Sequence, residues 1–312
     1  MSGRPRRFRF GVEMMAPSPR MSWADSARRV ESLGYSTLVV PDHFHEGLGP
    51  IAAMTSAAMA TTTLRVAPMV LNTDLRHPAV LARELASIDI LSAGRLEVGL
   101  GAGYNPADYR HSGIRMDPPG VRVDRLIEHV EVLKALWSDG PTTFEGQHYK
   151  IDALSGTPKP FTAGGPPLLI AGGGRRLLRF AAQRADIVGV NFALPSLPDD
   201  ASARDGLPAS VDAKFERIRA DAGDRFDDLE FNAWLAVCRV TDDATSLAAR
   251  LSARFGAPAD EVLRSPFILV GSPAEMIDRL EERRQRWGYS YFVVQQDQLD
   301  DFAPVVASLT GR

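Results

Sequence analysis

Two histidines separated by one residue follow a short apolar run, in the stretch VVPDHFHEG (Val39–Gly47). The whole sequence has only six histidines, so a pair at such a junction invites a chemical interpretation. The pair could hold a metal ion, His43 could contact a cofactor, or His43 and His45 could be ordinary loop residues. Catalytic zinc needs three protein ligands and an open position, and no histidine follows His148. We therefore expect no metal site and favour His43 as a cofactor contact.

Three successive glycines, Gly172, Gly173 and Gly174, lie between an apolar run and an amphipathic stretch. Glycine allows the backbone to approach a ligand closely. The first turn of a following helix offers free N–H groups and the positive end of the helix dipole, which suit a phosphate. Arg175 adds positive charge at the same place. The alternative is a tight turn between strand and helix that needs glycine for packing.

A second glycine-rich stretch, VGLGAGYNPADY (Val98–Tyr109), has glycine at every other position. Gly99, Gly101 and Gly103 remove side chains from one face of a strand, which would make room for a flat ring. Accommodation of close packing is the alternative interpretation. Together with a phosphate site, a slot for a flat ring would indicate an extended phosphorylated ring cofactor such as a flavin.

Eight short apolar runs, each followed by helical material, must position these groups. They are Phe8–Met14, Ser36–Pro41, Leu64–Leu71, Arg95–Gly103, Pro167–Gly174, Asp186–Ala193, Glu230–Val240 and Tyr289–Gln295. The alternation predicts one α/β domain over residues 1–312, a (β/α)8 TIM barrel with insertion loops, although a doubly wound open sheet would show the same alternation. We predict insertion loops at Gly103–Gly120, Asp139–Gly165 and Ala193–Val211.

Composition narrows the class of protein. The chain has 312 residues, a formal net charge of −3 at pH 7 and one cysteine, Cys238. These values favour neither a nucleic-acid partner nor a disulfide framework. No apolar run reaches the length of about 18 residues that spans a membrane. We therefore predict a cytoplasmic protein with a small organic molecule as its partner.

Five long stretches resemble the luciferase-like monooxygenase superfamily and, within it, the branch that depends on the deazaflavin coenzyme F-420. They are LGYSTLVVPDHF, LRHPAVLARELASIDILSAGRLEVGLGAG, RLIEHVEVLKALWSDGPTTFEGQHYKI, PKPFTAGGPPLLIAGGG and SPAEMIDRLEERRQRWGYSYFVV. The second is the most specific. The resemblance implies a single luciferase-like barrel domain, usually paired as a homodimer, with a flavin-type ring across the barrel mouth.

The resemblance also implies the coenzyme-binding residues. They are Asp42, His43, Met69, Val70, Asn72, Gly101, Ala102, Gly103, Tyr104, Gly172, Gly173, Gly174 and Arg175. The aspartate–histidine pair would lie beside the ring. Met69–Val70 would form an unusual cis peptide bond behind the ring, and the triple glycine would hold the phosphate.

Two positions depart from the sugar-phosphate dehydrogenases of this branch, which carry a glutamate where Tyr104 stands and a tryptophan where Gly47 stands. A sugar phosphate is therefore not the expected substrate. Glu13, Tyr104 and Asn191 are the candidates for the substrate side.

The resulting hypothesis is hydride transfer between coenzyme F-420 and an organic substrate. His43 would be the catalytic residue, since histidine ordinarily titrates near pH ~6.5 and can relay a proton. The alternatives are an FMN-dependent luciferase-like monooxygenase, a barrel metallohydrolase built on His43 and His45, and a barrel that carries the coenzyme without much chemistry.

Overall fold

The computed structural model describes residues 6–44, 47–192 and 203–312. His45 lies outside the described residues, and so does most of the predicted loop Ala193–Val211. The chain forms two compact units. The first unit comprises Met1–Glu13, Arg29–Thr37 and Ile170–Arg312, and the second comprises Met14–Arg28 and Leu38–Leu169.

The described residues form alternating strands and helices. The strands are β1 (Arg9–Glu13), β2 (Thr37–Val40), β3 (Arg65–Pro68), β4 (Leu71–Asn72), β5 (Val98–Gly101), β6 (Pro141–Glu145), β7 (Lys150–Ser155), β8 (Leu168–Gly172), β9 (Ile187–Val190), β10 (Glu230–Trp234), β11 (Val237–Val240), β12 (Ile268–Gly271) and β13 (Tyr289–Gln295). The helices are α1 (Trp23–Ser32), α2 (Pro50–Ala60), α3 (Pro78–Leu91), α4 (Pro106–Ser112), α5 (Pro119–Trp137), α6 (Arg175–Arg184), α7 (Pro208–Ala222), α8 (Ala244–Phe255), α9 (Ala259–Arg264), α10 (Pro273–Trp287) and α11 (Ala303–Leu309).

Parallel pairing dominates the first unit. There β13 lies between β1 and β10, and β10 also pairs with β9. The register sets Glu13 beside Gln295, so both side chains stand where their strands end. All four residues of β9 and the first six of β13 are buried. Such continuous burial is expected of strands covered on both faces.

The predicted seventh strand, Glu230–Val240, is wrong as a single element. It is two strands, β10 and β11, and β11 pairs with β12 in a separate two-stranded sheet. The separation follows from burial, because β11 and β12 pack with α8 and α9 around a small apolar cluster of their own. Its buried members are Ala244, Val262, Ile268 and Val270.

In the second unit, the predicted third strand, Leu64–Leu71, is also divided. It forms β3 and β4, and the peptide bond Met69–Val70 between them is cis, as the resemblance implies. Strand β4 pairs in parallel with β5, which places Asn72 beside Gly101. The point of interruption therefore lies next to the glycine-rich strand.

Two predicted loops of the second unit contain regular elements, which corrects the sequence interpretation. Helix α4 lies within Gly103–Gly120, and the Asn105 side chain caps it by accepting a hydrogen bond from the Ala107 N–H at 3.1 Å. The antiparallel hairpin of β6 and β7 lies within Asp139–Gly165. Its turn is held by the Glu128 carboxylate, which accepts hydrogen bonds from three successive backbone N–H groups, those of residues 147–149.

Helix α10 has clear signals at both ends. Ser272 and Glu275 form a reciprocal capping box at its start, and Gly288 ends it with φ of 84°. A left-handed residue at this place is typical of glycine. Across the described ranges, no helix combines the length and the apolar character needed to cross a membrane.

Candidate active site

His43 follows β2 in the second unit and is held by a buried carboxylate. Its Nδ1 lies 2.6 Å from Oδ2 of Asp108, and the other oxygen, Oδ1, accepts a hydrogen bond from the Phe44 N–H at 3.0 Å. Asp108 is 5% exposed, and it lies in the first turn of α4. The imidazole of the predicted catalytic residue is therefore fixed by a group that sequence reasoning missed.

Asp42, the neighbour of His43, is occupied by protein contacts. Arg76 donates to both of its oxygens, at 2.6 and 3.0 Å, and the Asn72 N–H donates at 3.0 Å. The carboxylate is 6% exposed. Asp42 thus ties the end of β2 to β4 and to the turn before α3.

The alternating glycines do not open a slot for a flat ring, and that interpretation is wrong. A Cβ on Gly99 would collide with the Pro68 carbonyl oxygen, and one on Gly101 would lie 2.5 Å from a methyl group of Val70. The packing alternative explains both positions, because the glycines admit the backbone and side chain around the cis peptide bond.

Gly103 is needed for the next contact in the same region. It has φ of 68°, and its side-chain direction is filled by Asn72 and the Tyr109 hydroxyl. The Asn72 amide donates to that hydroxyl at 3.1 Å, and Tyr109 donates to Asp74 at 2.8 Å. Burial and the Asp74 carboxylate raise the pKa of Tyr109. Asn72, an expected coenzyme contact, therefore has a protein partner at its side-chain amide.

Tyr104, a predicted coenzyme and substrate contact that follows β5, is exposed to solvent. Its side chain is 41% exposed. Its ring packs edge-on against His43, with 5.6 Å between the ring centroids. The second unit thus brings His43, Asp108 and Tyr104 together.

The triple glycine lies in the first unit, at the start of α6. Gly174 is the N-cap and provides no side-chain cap. Gly173 and Arg175 line a surface hollow together with Lys214, Arg217 and Asp221. Lys214 is buried, donates to Asp205 at 2.6 Å and to the Asn191 carbonyl at 2.8 Å. Uncapped N–H groups and excess positive charge fit a phosphate.

Glu13 ends β1 in the same unit. Burial raises the pKa of this carboxyl to about 7, and the nearby Trp234 side chain offsets part of the rise. Asn191 follows β9, and its N–H donates to the Gly172 carbonyl at 3.0 Å. The first unit therefore brings Asn191 to the triple glycine, and it leaves Glu13 with an indole as its neighbour.

The sequence analysis missed Asp108 and Arg76. The signal for Asp108 was the pair Asn105–Pro106, which is typical of a helix start and places the aspartate in the first turn. Within residues 6–44, 47–192 and 203–312, no group of three or more His, Cys, Asp or Glu side chains is arranged to hold a metal ion. His45 lies outside these residues.

Sequence comparison gives the relatives. The profile of the luciferase-like monooxygenase family matches residues 7–206. An uncharacterized protein of Mycobacterium tuberculosis is 28% identical over 78% of this chain and 98% of its own length. An F-420-dependent glucose-6-phosphate dehydrogenase of Intrasporangium calvum is 25% identical over 92% of this chain and 94% of its own.

Solved structures show the fold. The coenzyme F-420-dependent tetrahydromethanopterin reductase of Methanopyrus kandleri superposes with a TM-score of 0.75 at 19% identity, over 96% of each chain. The oxygenating constituent of 3,6-diketocamphane monooxygenase of Pseudomonas putida, in complex with FMN, gives 0.67 at 20% identity, over 97% of this chain and 96% of the other. The predicted fold class, an α/β TIM barrel, is confirmed. The chain belongs to the luciferase-like monooxygenase family.

Proposed function

We propose that the protein is an oxidoreductase that transfers a hydride between coenzyme F-420 and a small organic substrate. The observation that carries the proposal is the His43–Asp108 pair, 2.6 Å apart, at the end of a strand in a chain of this family. A histidine held by a carboxylate is suited to move a proton.

The proposed phosphate contacts are Gly172, Gly173, Gly174 and Arg175. Their support is the surface hollow beside the uncapped start of α6 and the cations that line it. Of its three lining cations, Lys214 is paired with Asp205, so Arg175 and Arg217 supply the charge that exceeds the one lining carboxylate, Asp221. A phosphodiester that continues into further carboxylates, as in F-420, suits this excess of positive charge better than a neutral ligand does.

When bound, a deazaflavin supplies a carrier that gains or loses two electrons as a hydride. The protein's residues supply the rest. His43 accepts or returns the substrate proton at the imidazole nitrogen that does not face Asp108. Tyr104 covers that ring edge-on and forms part of the substrate side.

Glu13 and Asn191 complete the proposed substrate side. A carboxyl with a pKa of about 7 is close to equally protonated and ionised at neutral pH. That balance is what a general acid or base needs. An ordinary glutamate, which is almost fully ionised, would not have it.

An FMN-dependent monooxygenase is the second candidate, favoured by the structural likeness to an FMN-bound enzyme. Oxygen dependence separates the two. We expect oxidised F-420 to be reduced by a secondary alcohol, or reduced F-420 to reduce an activated alkene, at the same rate with and without oxygen. Turnover only with reduced FMN and oxygen would contradict the proposal.

The role of His43 is tested with His43→Gln. We expect the variant to retain F-420 binding and, with the coenzyme bound, to turn over about 100-fold more slowly, the usual range for a lost acid–base group. The exposed Asp152→Asn is the matched control. Unchanged turnover of His43→Gln with bound coenzyme would remove His43 from the mechanism.

We also propose a homodimer. Large apolar side chains are exposed on α2 and α3, with Met59 at 56%, Val80 at 57% and Leu91 at 51%. Exposed apolar surface of this kind is typical of an interface. Sedimentation should give twice the chain mass, and Val80→Asp with Leu91→Asp should halve it. A parent protein that sediments as a monomer would contradict this.

A further inference from the structure

We infer that Asp108 is the positioning residue that fixes the proton of the neutral His43 imidazole on Nδ1 and leaves Nε2 as the basic nitrogen. The inference deepens the proposed function, since it rests on the role of His43 given there. The geometry that supports it is independent of any coenzyme.

Two hydrogen bonds of Asp108 determine the tautomer. The Phe44 N–H donates to Oδ1 at 3.0 Å, and His43 Nδ1 lies 2.6 Å from Oδ2. A carboxylate only accepts, so the Nδ1 facing it must carry a hydrogen. A backbone N–H can only donate a hydrogen bond. Oδ1 therefore accepts the bond from Phe44, and Oδ2 faces the imidazole.

The carboxylate is itself held in place. Asp108 lies in the first turn of α4, where the helix dipole favours a negative charge. The next residue, Tyr109, is 2% exposed and donates to Asp74 at 2.8 Å, which anchors the helix. Arg122 donates to the Gly103 carbonyl at 2.7 Å and fixes the chain that leads into α4.

Burial strengthens the constraint. Asp108 is 6% exposed at its side chain and His43 is 20% exposed. A charge-assisted hydrogen bond that is shielded from water is stronger than one in solvent. A neutral imidazole in solution has no carboxylate to hold its proton on Nδ1. The tautomer of His43 is therefore a direct measure of its hydrogen bond to Asp108.

An amide at position 108 should reverse the tautomer. Asparagine has one accepting oxygen and one donating NH2 group. The Phe44 N–H needs the oxygen, so the NH2 group faces His43 and Nδ1 must accept. The proton of the neutral ring then moves to Nε2, which can no longer take a proton from a substrate.

The test is the ¹⁵N–¹H correlation spectrum of the histidine rings at pH 8, with the His43 signals assigned by their loss in His43→Gln. We expect the proton on Nδ1 in the parent protein, on Nε2 in Asp108→Asn and again on Nδ1 in Asp108→Glu. The exposed Asp152→Asn should match the parent protein. A proton on Nε2 in the parent protein, or an unchanged tautomer in Asp108→Asn, would overturn the inference.

Kinetics give the second readout. We expect kcat of Asp108→Asn to fall about 100-fold with unchanged coenzyme affinity, and Asp108→Glu to recover part of it. An equal loss in both variants would show a purely structural role and overturn the inference. The parent spectrum needs no coenzyme. An Nδ1 proton without F-420 binding would therefore uphold the positioning role while the proposed coenzyme failed.

Discussion

The acidic residues at the strand ends of the two units have different surroundings. Asp42, after β2 in the second unit, accepts two hydrogen bonds from Arg76 and one from the Asn72 N–H. Glu13, at the end of β1 in the first unit, is half-buried near Trp234, and burial raises its pKa to about 7. A carboxylate held by a cation stabilises the structure, whereas a carboxyl with a pKa near neutrality can gain or lose a proton.

The glycines of the two units also differ, in the space around their missing side chains. Gly99 and Gly101 in the second unit have their side-chain directions filled by protein, whereas that of Gly174 in the first unit has no atom within 4 Å. Filled directions indicate a packing requirement, and an open one leaves the backbone accessible to a ligand. Four substitutions test the comparison.

The largest effect is expected from Asp42→Asn. It leaves the Arg76 guanidinium without its carboxylate, and breaking a buried pair costs about 3–5 kcal/mol. Because Arg76 is 23% exposed, we expect the lower end, about 3 kcal/mol, in urea unfolding. Asp152→Asn, at an exposed aspartate of β7, should change the free energy of unfolding by less than about 0.5 kcal/mol. Equal values for the two variants would show that Asp42 is not structural.

Gly99→Ala should destabilise the protein by about 2–3 kcal/mol, since overpacking against backbone leaves little room for relaxation. The added methyl would meet the Pro68 carbonyl oxygen next to the Met69–Val70 bond. Thermal unfolding measures the effect. A variant as stable as the parent protein would show that this region can expand, which would restore the interpretation of an open slot.

Glu13→Gln should increase the free energy of unfolding, and only at high pH. The pKa of Glu13 is about 7 in the folded protein, above the ordinary 4.5. The folded protein therefore loses stability relative to the unfolded chain as the pH rises from 4.5 through 7, because ionised Glu13 is less favourable in the folded state. Glutamine avoids this loss. We expect equal stability of variant and parent protein near pH 4.5, and a variant more stable by on the order of 1–2 kcal/mol at pH 8. A pH-independent difference would remove the case for a perturbed carboxyl.

Gly174→Ala should have the smallest effect on stability, within about 0.5 kcal/mol. Its φ of −77° is allowed for alanine. The added methyl stands over the uncapped start of α6, so we expect weaker binding of F-420. Gly172→Ala should differ, because its methyl would lie 2.4 Å from the Leu177 side chain, so a loss of stability would accompany any loss of binding. Coenzyme binding by Gly174→Ala equal to that of the parent protein would argue against the phosphate site.

Much of the fold could be predicted from the sequence because its signals are local. The alternation of apolar runs and amphipathic stretches predicted the α/β class, the family resemblance implied the barrel, and Ser272 and Gly288 are local signals for the ends of α10. The predicted strand Glu230–Val240 failed because Leu235 and Ala236 continue the apolar run. The partner of the second half, β12, lies about 30 residues further along the chain.

The candidate site was only partly predictable for the same reason. His43 stood out by its place after an apolar run, but its partner Asp108 is 65 positions away, inside a segment interpreted as a loop. Asp42 was expected to bind the coenzyme, and nothing local revealed that Arg76 occupies it. The glycines of the sequence indicated positions where a side chain does not fit. The sequence could not show that Pro68 and Val70 fill the space at Gly99 and Gly101.

Coenzyme titration by ring fluorescence tests the central claim most directly. The account predicts that F-420 binds with micromolar affinity, and that both FMN and the deazaflavin core without its phosphate bind at least about tenfold more weakly, a difference of 1.4 kcal/mol. Tighter binding of FMN than of F-420, or equal binding of the core and the whole coenzyme, would contradict it.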